Sequence, residues 1–294
     1  MNRKHLLIVS GILAIIIIFL GTLYVNNSRN YYTKTIIQHY NPKIAILIIS
    51  SVNNVVDTHN KKRWEQEKNI WLKSIKNNKF TNIDIFFLES SDDVQPNTAS
   101  IKNNTIYCGI TDSYIPGILH KTLLALKVLP KYDFYVRTNL STVVDYKELN
   151  SFLQTIPLNI FFSTGFEDFK IGDKLSKKHQ AEKYKIVSEI KDKNLPYYGN
   201  FKNNDNTWFS GWTIIFSKNY VNILIEYLDR IPYILESNVP DDVLLGILMG
   251  KHYKNINIKC NKMCIKKTKN TIFYRCKSVS KKYHEMFENV INGY

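Results

Sequence analysis

The chain has 294 residues, 44% of them hydrophobic, with 40 Lys and Arg against 25 Asp and Glu for a formal net charge of +15. One long apolar run near the start leaves enough sequence after it for a single sizeable core. The basic balance invites a nucleic-acid reading, but the lysines are scattered among asparagines and isoleucines along the whole chain. No zinc finger, helix-turn-helix signature or RNA-binding aromatic motif accompanies them, so nucleic acid is excluded as the expected partner. The charge suits acidic ligands or an anionic surface instead.

Arg3, Lys4 and His5 precede an uncharged apolar stretch over residues 6–25, which is of transmembrane length. Arg29 is the first charge after it. The positive-inside rule then predicts a single-pass type II membrane protein: a cytoplasmic tail over 1–5, a signal-anchor over 6–25, and a body that is lumenal (Golgi- or ER-like) or external. A cleaved signal peptide is the rival, although the run exceeds a usual h-region and no A-x-A site follows. Residues 26–42 read as a polar stem and 43–294 as one domain. Asn26, Asn103 and Asn139 head glycosylation sequons; Asn103 is the one placed for use, since Asn26 lies against the membrane face and Asn139 at a strand end.

Residues 43–51 form a near-continuous apolar run of the kind buried in a parallel sheet. An amphipathic helix is predicted over 60–75, with Trp64, Ile70, Trp71, Leu72 and Ile75 available for one face. Strands follow at 83–89 and 105–108, then a helix over 114–129 with Pro116 and Gly117 in its opening turn. Residues 132–137, dense in aromatic and β-branched side chains, read as a fourth buried strand before a helix over 146–153. Further strands are predicted at 160–163 and 213–217, helices at 218–231 and 241–250, late strands at 256–258 and 272–274, and a last helix at 283–292. The lysine-rich stretch 170–194 reads as a solvated insert. Strands alternating with helices predict an α/β fold with a mostly parallel sheet flanked by helices.

Cys108, Cys260, Cys264 and Cys276 are the cysteines. In a lumenal compartment, disulfides are expected among the last three. A zinc cluster with His284 is the alternative, although its spacing fits no standard finger.

Two segments carry candidate chemistry. Residues 108–122, CGITDSYIPGILHKT, place Asp112, Ser113 and Tyr114 ahead of a helix that contains Lys121. Taken alone, Asp112 reads as a helix cap and Tyr114 as packing on the sheet. The Pro-Asp-Asp at 240–242 precedes an apolar run and reads as a helix start, where carboxylates are favoured. A carboxylate there could also take a proton from an attacking hydroxyl.

The order of these segments resembles the β1,3-galactosyltransferase and Fringe superfamily. Asp112, Ser113, Tyr114, Leu119, Lys121 and Thr122 fall on its D-S-Y-x-N-L-T-x-K-T element, and Arg63 with Trp71 on the Arg and Trp of its first helix. Residues 208–217, WFSGWTIIFS, are similar to its acceptor-side Y-x-S-G-G-G-Y-V-L-S through Ser210, Gly211 and Ser217. Residues 239–246, VPDDVLLG, are similar to its E-D-V-x-x-G. The resemblance implies a GT-A-like, Rossmann-like catalytic domain. Such a domain transfers a hexosyl or N-acetylhexosaminyl group from a nucleotide sugar, UDP-linked in this family, to a glycan or glycoprotein hydroxyl with inversion. It implies Asp242 as base and Asp241 as its support. Arg137, Asn139, Ser141, Asp112 and Lys121 would lie on the donor side, with Trp208, Ser210, Gly211 and Trp212 on the acceptor side.

The chain departs from that pattern at one place. Where the superfamily has an Asp run that holds a divalent metal, this sequence reads Asn139-Leu140-Ser141, and a hard cation loses the carboxylates it favours. Three readings stay open. Asn139 and Ser141 orient the donor while Arg137 or nearby lysines neutralise its pyrophosphate; Mn2+ or Mg2+ binds weakly through Asn139 and His252; or catalysis is lost and the fold binds carbohydrate or a protein partner.

Overall fold

The computed structural model describes residues 40–51, 58–129, 131–158, 163–165, 177–195, 211–237, 239–249, 260–261 and 268–276, with single positions at 285 and 290. The architecture below belongs to the compact unit Pro42–Tyr294. The predicted anchor over 6–25 and the strand at 256–258 lie outside the described residues. So does nearly all of the predicted helix at 283–292. Among those described, no helix is long and apolar enough to cross a membrane.

In chain order the elements are β1 (Ile44–Ile49), α1 (Thr58–Asn77), β2 (Ile83–Ser90), β3 (Ala99–Lys102), β4 (Thr105–Cys108), α2 (Gly117–Val128), β5 (Phe134–Asn139), β6 (Thr142–Val144) and α3 (Tyr146–Leu153). They continue with β7 (Ser163–Gly165), α4 (Lys177–Asp192), β8 (Thr213–Ser217), α5 (Lys218–Arg230), a 3-10 turn over Pro232–Glu236, α6 (Asp241–Met249), β9 (Cys260–Asn261) and β10 (Phe273–Arg275). The main sheet runs β3-β4-β2-β1-β5-β8-β7 and a small one runs β6-β10-β9. Strands β4, β2, β1 and β5 are parallel, while β3, β8 and β7 pair antiparallel at the two edges.

Every residue of β1 is buried, because the sheet is covered on both faces and successive side chains point to opposite sides. Ala45, Leu47 and Ile49 join one core with Leu119 and Leu123 of α2, Ile186 and Ile190 of α4, Tyr220 and Leu224 of α5, and Leu244 of α6. Ile44, Ile46 and Ile48 join the other with Trp71 of α1, Leu149 of α3, and Phe273 and Tyr274 of β10. The small sheet thus lies on the α1 side, next to the end of β5.

Several expectations change. Strand β3 was not predicted, because three of its four residues are exposed and show no apolar pattern; Asn103, at φ 54°, turns the chain back into β4. Strand β6 is a buried Thr-Val-Val too short to read as a strand. The lysine-rich stretch contains α4, whose Ile186, Val187 and Ile190 are buried, so it is a packed amphipathic helix. Cys276 is disulfide-bonded, as expected for the C-terminal cysteines and at odds with a zinc thiolate there. Cys108 is a free, buried thiol.

The chain runs β1, β2, β4 in one direction and then returns to place β5 on the other side of β1. The carboxyl ends of β1 and β5 therefore flank a topological switch point, where open α/β sheets form ligand crevices.

Candidate functional site

Ile49 of β1 lies opposite Asn139 of β5 across this switch point. Below the β1 end is a buried polar chain. Lys121, at 0% exposure, donates to the Ser50 carbonyl and to Ser51 Oγ at 3.1 Å each, and to Asp112 Oδ1 at 2.7 Å. Ser50 Oγ donates to Glu89 at 2.9 Å, and Lys68 pairs with the same carboxylate. Asp112 is thus an ion-pair partner rather than the cap of α2; Ser113 Oγ instead accepts the Gly117 N–H at 3.0 Å. A buried ammonium is costly unless paired and hydrogen-bonded, and here Lys121 has three oxygens.

The turn Asn139-Leu140-Ser141 is held from three sides. Trp71 Nε1 donates to the Leu140 carbonyl at 3.0 Å, Cys276 N–H donates to the Ser141 carbonyl at 2.8 Å, and Asn139 Nδ2 donates to the Gly211 carbonyl at 3.4 Å. Thr138 and Thr142 both donate to the Trp212 carbonyl, at 2.9 and 3.5 Å. Trp71 of α1 therefore fixes the carbonyl at the centre of the Asn139-Leu140-Ser141 turn. Its position, 69 residues earlier, was not readable as a site contact from spacing.

Arg137, Gly211, Asp241 and Asp242 meet at the same place. Arg137 is 1% exposed, and its two terminal nitrogens donate to the Gly211 carbonyl and to Asp241 Oδ2. Gly211 N–H donates to Asp242 Oδ2 at 3.1 Å, and Val243 N–H donates to Asp242 Oδ1 at 2.8 Å. Both aspartates open α6, where the helix dipole favours carboxylates. Burial pushes the Asp241 carboxyl above its ordinary value against the pull of Arg137, and the Asp242 charge adds to the rise. Asp242 is the more open of the two. Each of its oxygens keeps a lone pair beyond the bond that orients it.

Tyr114 does not pack on the sheet; it is 72% exposed. Partial shielding from water and the carboxylates of Asp242 and Asp241 hold its phenol above the ordinary value, with Arg137 and Arg275 opposing. Trp212 is 1% exposed and core-packed, so it cannot stack on an acceptor sugar; Arg275 lies over its ring at 5.4 Å from the centroid. Trp208, Ser210 and His252 lie outside the described residues. Asp92 and Asp93 stand on an exposed loop.

These groups do not fit a resident Mn2+ or Mg2+, which takes carboxylate and other oxygen ligands. The Asn139 amide is directed at a carbonyl, Asp241 is paired with Arg137, and that guanidinium places positive charge in the middle of the set. Among the described residues no three His, Cys, Asp or Glu side chains come together as a metal site.

No protein-family model matches the chain, and no curated protein sequence does. In structure it is similar to WbbM, a bifunctional glycosyltransferase, with a TM-score of 0.50 at 11% identity over 86% of this chain and 50% of that one. The chain thus spans half of that enzyme's length. It is also similar to the galactosyltransferase LgtC (TM-score 0.42, 12% identity, 85% of this chain and 95% of that one). A further likeness is to mouse xyloside xylosyltransferase 1 (TM-score 0.39, 7% identity, 80% and 97%). The fold is GT-A-like, an α/β architecture with a mixed, mostly parallel sheet flanked by helices. The comparisons give the β1,3-galactosyltransferase and Fringe resemblance no separate support.

Proposed function

We propose that the domain is an inverting glycosyltransferase that moves a sugar from a nucleoside-diphosphate donor to a hydroxyl of a glycan or glycoprotein. A UDP-linked hexose or N-acetylhexosamine is the favoured donor, and a type II membrane anchor the favoured setting. One observation carries the reading. Residues far apart in sequence, Arg137 and Asn139 at the end of β5 and Asp242 at the start of α6, converge on the single peptide of Gly211, beside the switch point.

The donor would lie across the carboxyl ends of β1 and β5. Asp242 accepts the proton of the acceptor hydroxyl while that oxygen bonds to the anomeric carbon. The bond from that carbon to the diphosphate oxygen breaks, and its electron pair leaves on the diphosphate. Arg137 and Asp241 position rather than react: their buried pair holds the Gly211 turn against the start of α6. No step is assigned to a metal ion.

The second reading is a catalytically silent fold that binds carbohydrate or a partner, and Asn139 and Ser141 in place of carboxylates favour it. Incubating the full-length chain with a nucleotide-sugar panel and a glycan acceptor mixture separates the two. Release of nucleoside diphosphate in EDTA is expected. Absence of both release and donor binding would sink the transferase reading.

A further inference from the structure

We infer that Tyr114, exposed on the rim that carries Asp242, is the platform on which the acceptor sugar lies while its hydroxyl faces that carboxylate. This rests on the reading of the site as a transferase and names the side chain that holds the acceptor.

The segment that carries Tyr114 is anchored on both sides. Two residues before it, Asp112 Oδ1 accepts from the buried Lys121 ammonium at 2.7 Å. The same ammonium donates to the Ser50 carbonyl and to Ser51 Oγ at 3.1 Å each, just past the end of β1. Ser113, the preceding residue, accepts the Gly117 N–H through its Oγ at 3.0 Å, which closes the turn into α2. A Cβ at Gly117 would meet that Oγ at 2.7 Å and displace it, so the turn closes because a glycine stands there. The backbone of Tyr114 is therefore fixed at the carboxyl rim of the sheet, while its side chain is 72% exposed. A ring carried by a fixed turn loses little freedom when a ligand covers it.

Asp242 belongs to the same rim and the same face. Leu119 and Leu123 of α2 share one core with Val243 and Leu244 of α6, so both helices cover that side of the main sheet. The two helix starts are linked across the switch point. Ile49 of β1 pairs with Asn139 of β5, Asn139 donates to the Gly211 carbonyl, and the Gly211 N–H holds Asp242. In keeping with this, partial shielding from water and then the Asp242 carboxylate raise the Tyr114 phenol above its ordinary value. The hydroxyl so keeps its proton at neutral pH and can donate to a sugar oxygen. A base at Asp242 must touch an acceptor hydroxyl, so an aromatic face beside it meets the acceptor rather than the nucleobase. The C–H face of a pyranose is apolar and slightly positive, which suits the negative face of an aromatic ring. Trp212, at 1% exposure, offers no such face.

The test is steady-state kinetics of the full-length wild-type chain and its Tyr114→Ala and Tyr114→Phe variants. UDP-glucose, UDP-galactose and their N-acetylhexosamine counterparts serve as donors, and the methyl β-glycosides of the same sugars as acceptors. UDP affinity is measured alongside by calorimetry. Tyr114→Ala is expected to raise the acceptor KM about tenfold or more, with a much smaller fall in kcat and nearly unchanged UDP affinity. Tyr114→Phe keeps the ring and is expected to restore the acceptor KM to within about twofold of wild type. An unchanged acceptor KM in Tyr114→Ala would overturn the inference, and so would a Tyr114→Phe variant as impaired as Tyr114→Ala. Weakened UDP or donor binding with an unchanged acceptor KM would instead place the ring under the nucleotide and overturn the acceptor role. A wild-type chain that binds UDP but uses no glycoside of the panel would overturn the platform alone. A chain that neither binds UDP nor releases it from any donor would overturn the transferase reading and the inference together.

Discussion

Gly211 donates its N–H to Asp242 Oδ2 at 3.1 Å, and the same peptide's carbonyl is held by Arg137 and Asn139. The candidate base is therefore placed by a residue with no side chain. A Cβ at 211 would meet Asp242 Oδ2 at 3.1 Å and its Cβ and Cγ at 3.4 Å, closer than ordinary contact. Gly211→Ala is expected to push the carboxylate by a few tenths of an ångström and to lower turnover about tenfold, since misplacement of about 1 Å can cost about a hundredfold. Steady-state turnover and thermal unfolding, run side by side, check it; a lost fold with no specific loss of turnover would contradict it.

Asp241→Asn breaks a buried ion pair and leaves the Arg137 guanidinium without its charge partner. The expected loss is about 3–5 kcal/mol of stability by urea unfolding. Asp241→Asn combined with Arg137→Met is expected to recover part of it, because the orphaned charge is then gone. An unchanged unfolding midpoint in the single variant would refute the positioning role.

Lys121→Met removes the donor shared by Ser50, Ser51 and Asp112. It is expected to destabilise the domain by about 3 kcal/mol and to speed amide exchange at the β1 end more than in α5. Uniform exchange across both elements would mean that the ammonium supports the whole fold and not this crevice.

Burial on α1 raises Glu67 to about 7 from 4.5, with Arg63 at 3.8 Å opposing the rise. A carboxyl that binds its proton more tightly in the folded chain stabilises the fold at low pH. That contribution is complete below about 4.5 and is lost as pH rises through about 7. Between those limits the domain is expected to lose up to about 3 kcal/mol from this group, and Glu67→Gln is expected to flatten that slope. Unfolding midpoints measured from pH 4.5 to 8 decide it; parallel profiles for the two proteins would contradict it.

Much of the fold was legible in the sequence because the strands that build it are buried on both faces. The runs at 43–51, 83–89, 132–137 and 213–217 read as strands on apolar density alone, and β8 and α3 match their predicted limits. Strand β3 and strand β6 escaped because one is exposed and the other has three residues. Within the site, Asp242, Arg137 and Asn139 were legible as motif residues, but their meeting at Gly211 was not. Sequence order says nothing about which carbonyl a buried arginine will bond. The same limit applies to Trp212, whose aromatic ring suggested a sugar platform until its burial showed a packing role. Trp71 touches the site through a bond to the Leu140 carbonyl that only the folded chain defines.

The central claim is that Asp242 acts as base at a nucleotide-sugar site. The most direct test compares turnover of the best donor from the panel by the wild-type chain and by Asp242→Asn, each in EDTA. The expected result is a loss of about 10²–10⁴-fold in turnover, with UDP affinity and unfolding temperature nearly unchanged. Wild-type turnover retained by Asp242→Asn would contradict the assignment and place the base elsewhere.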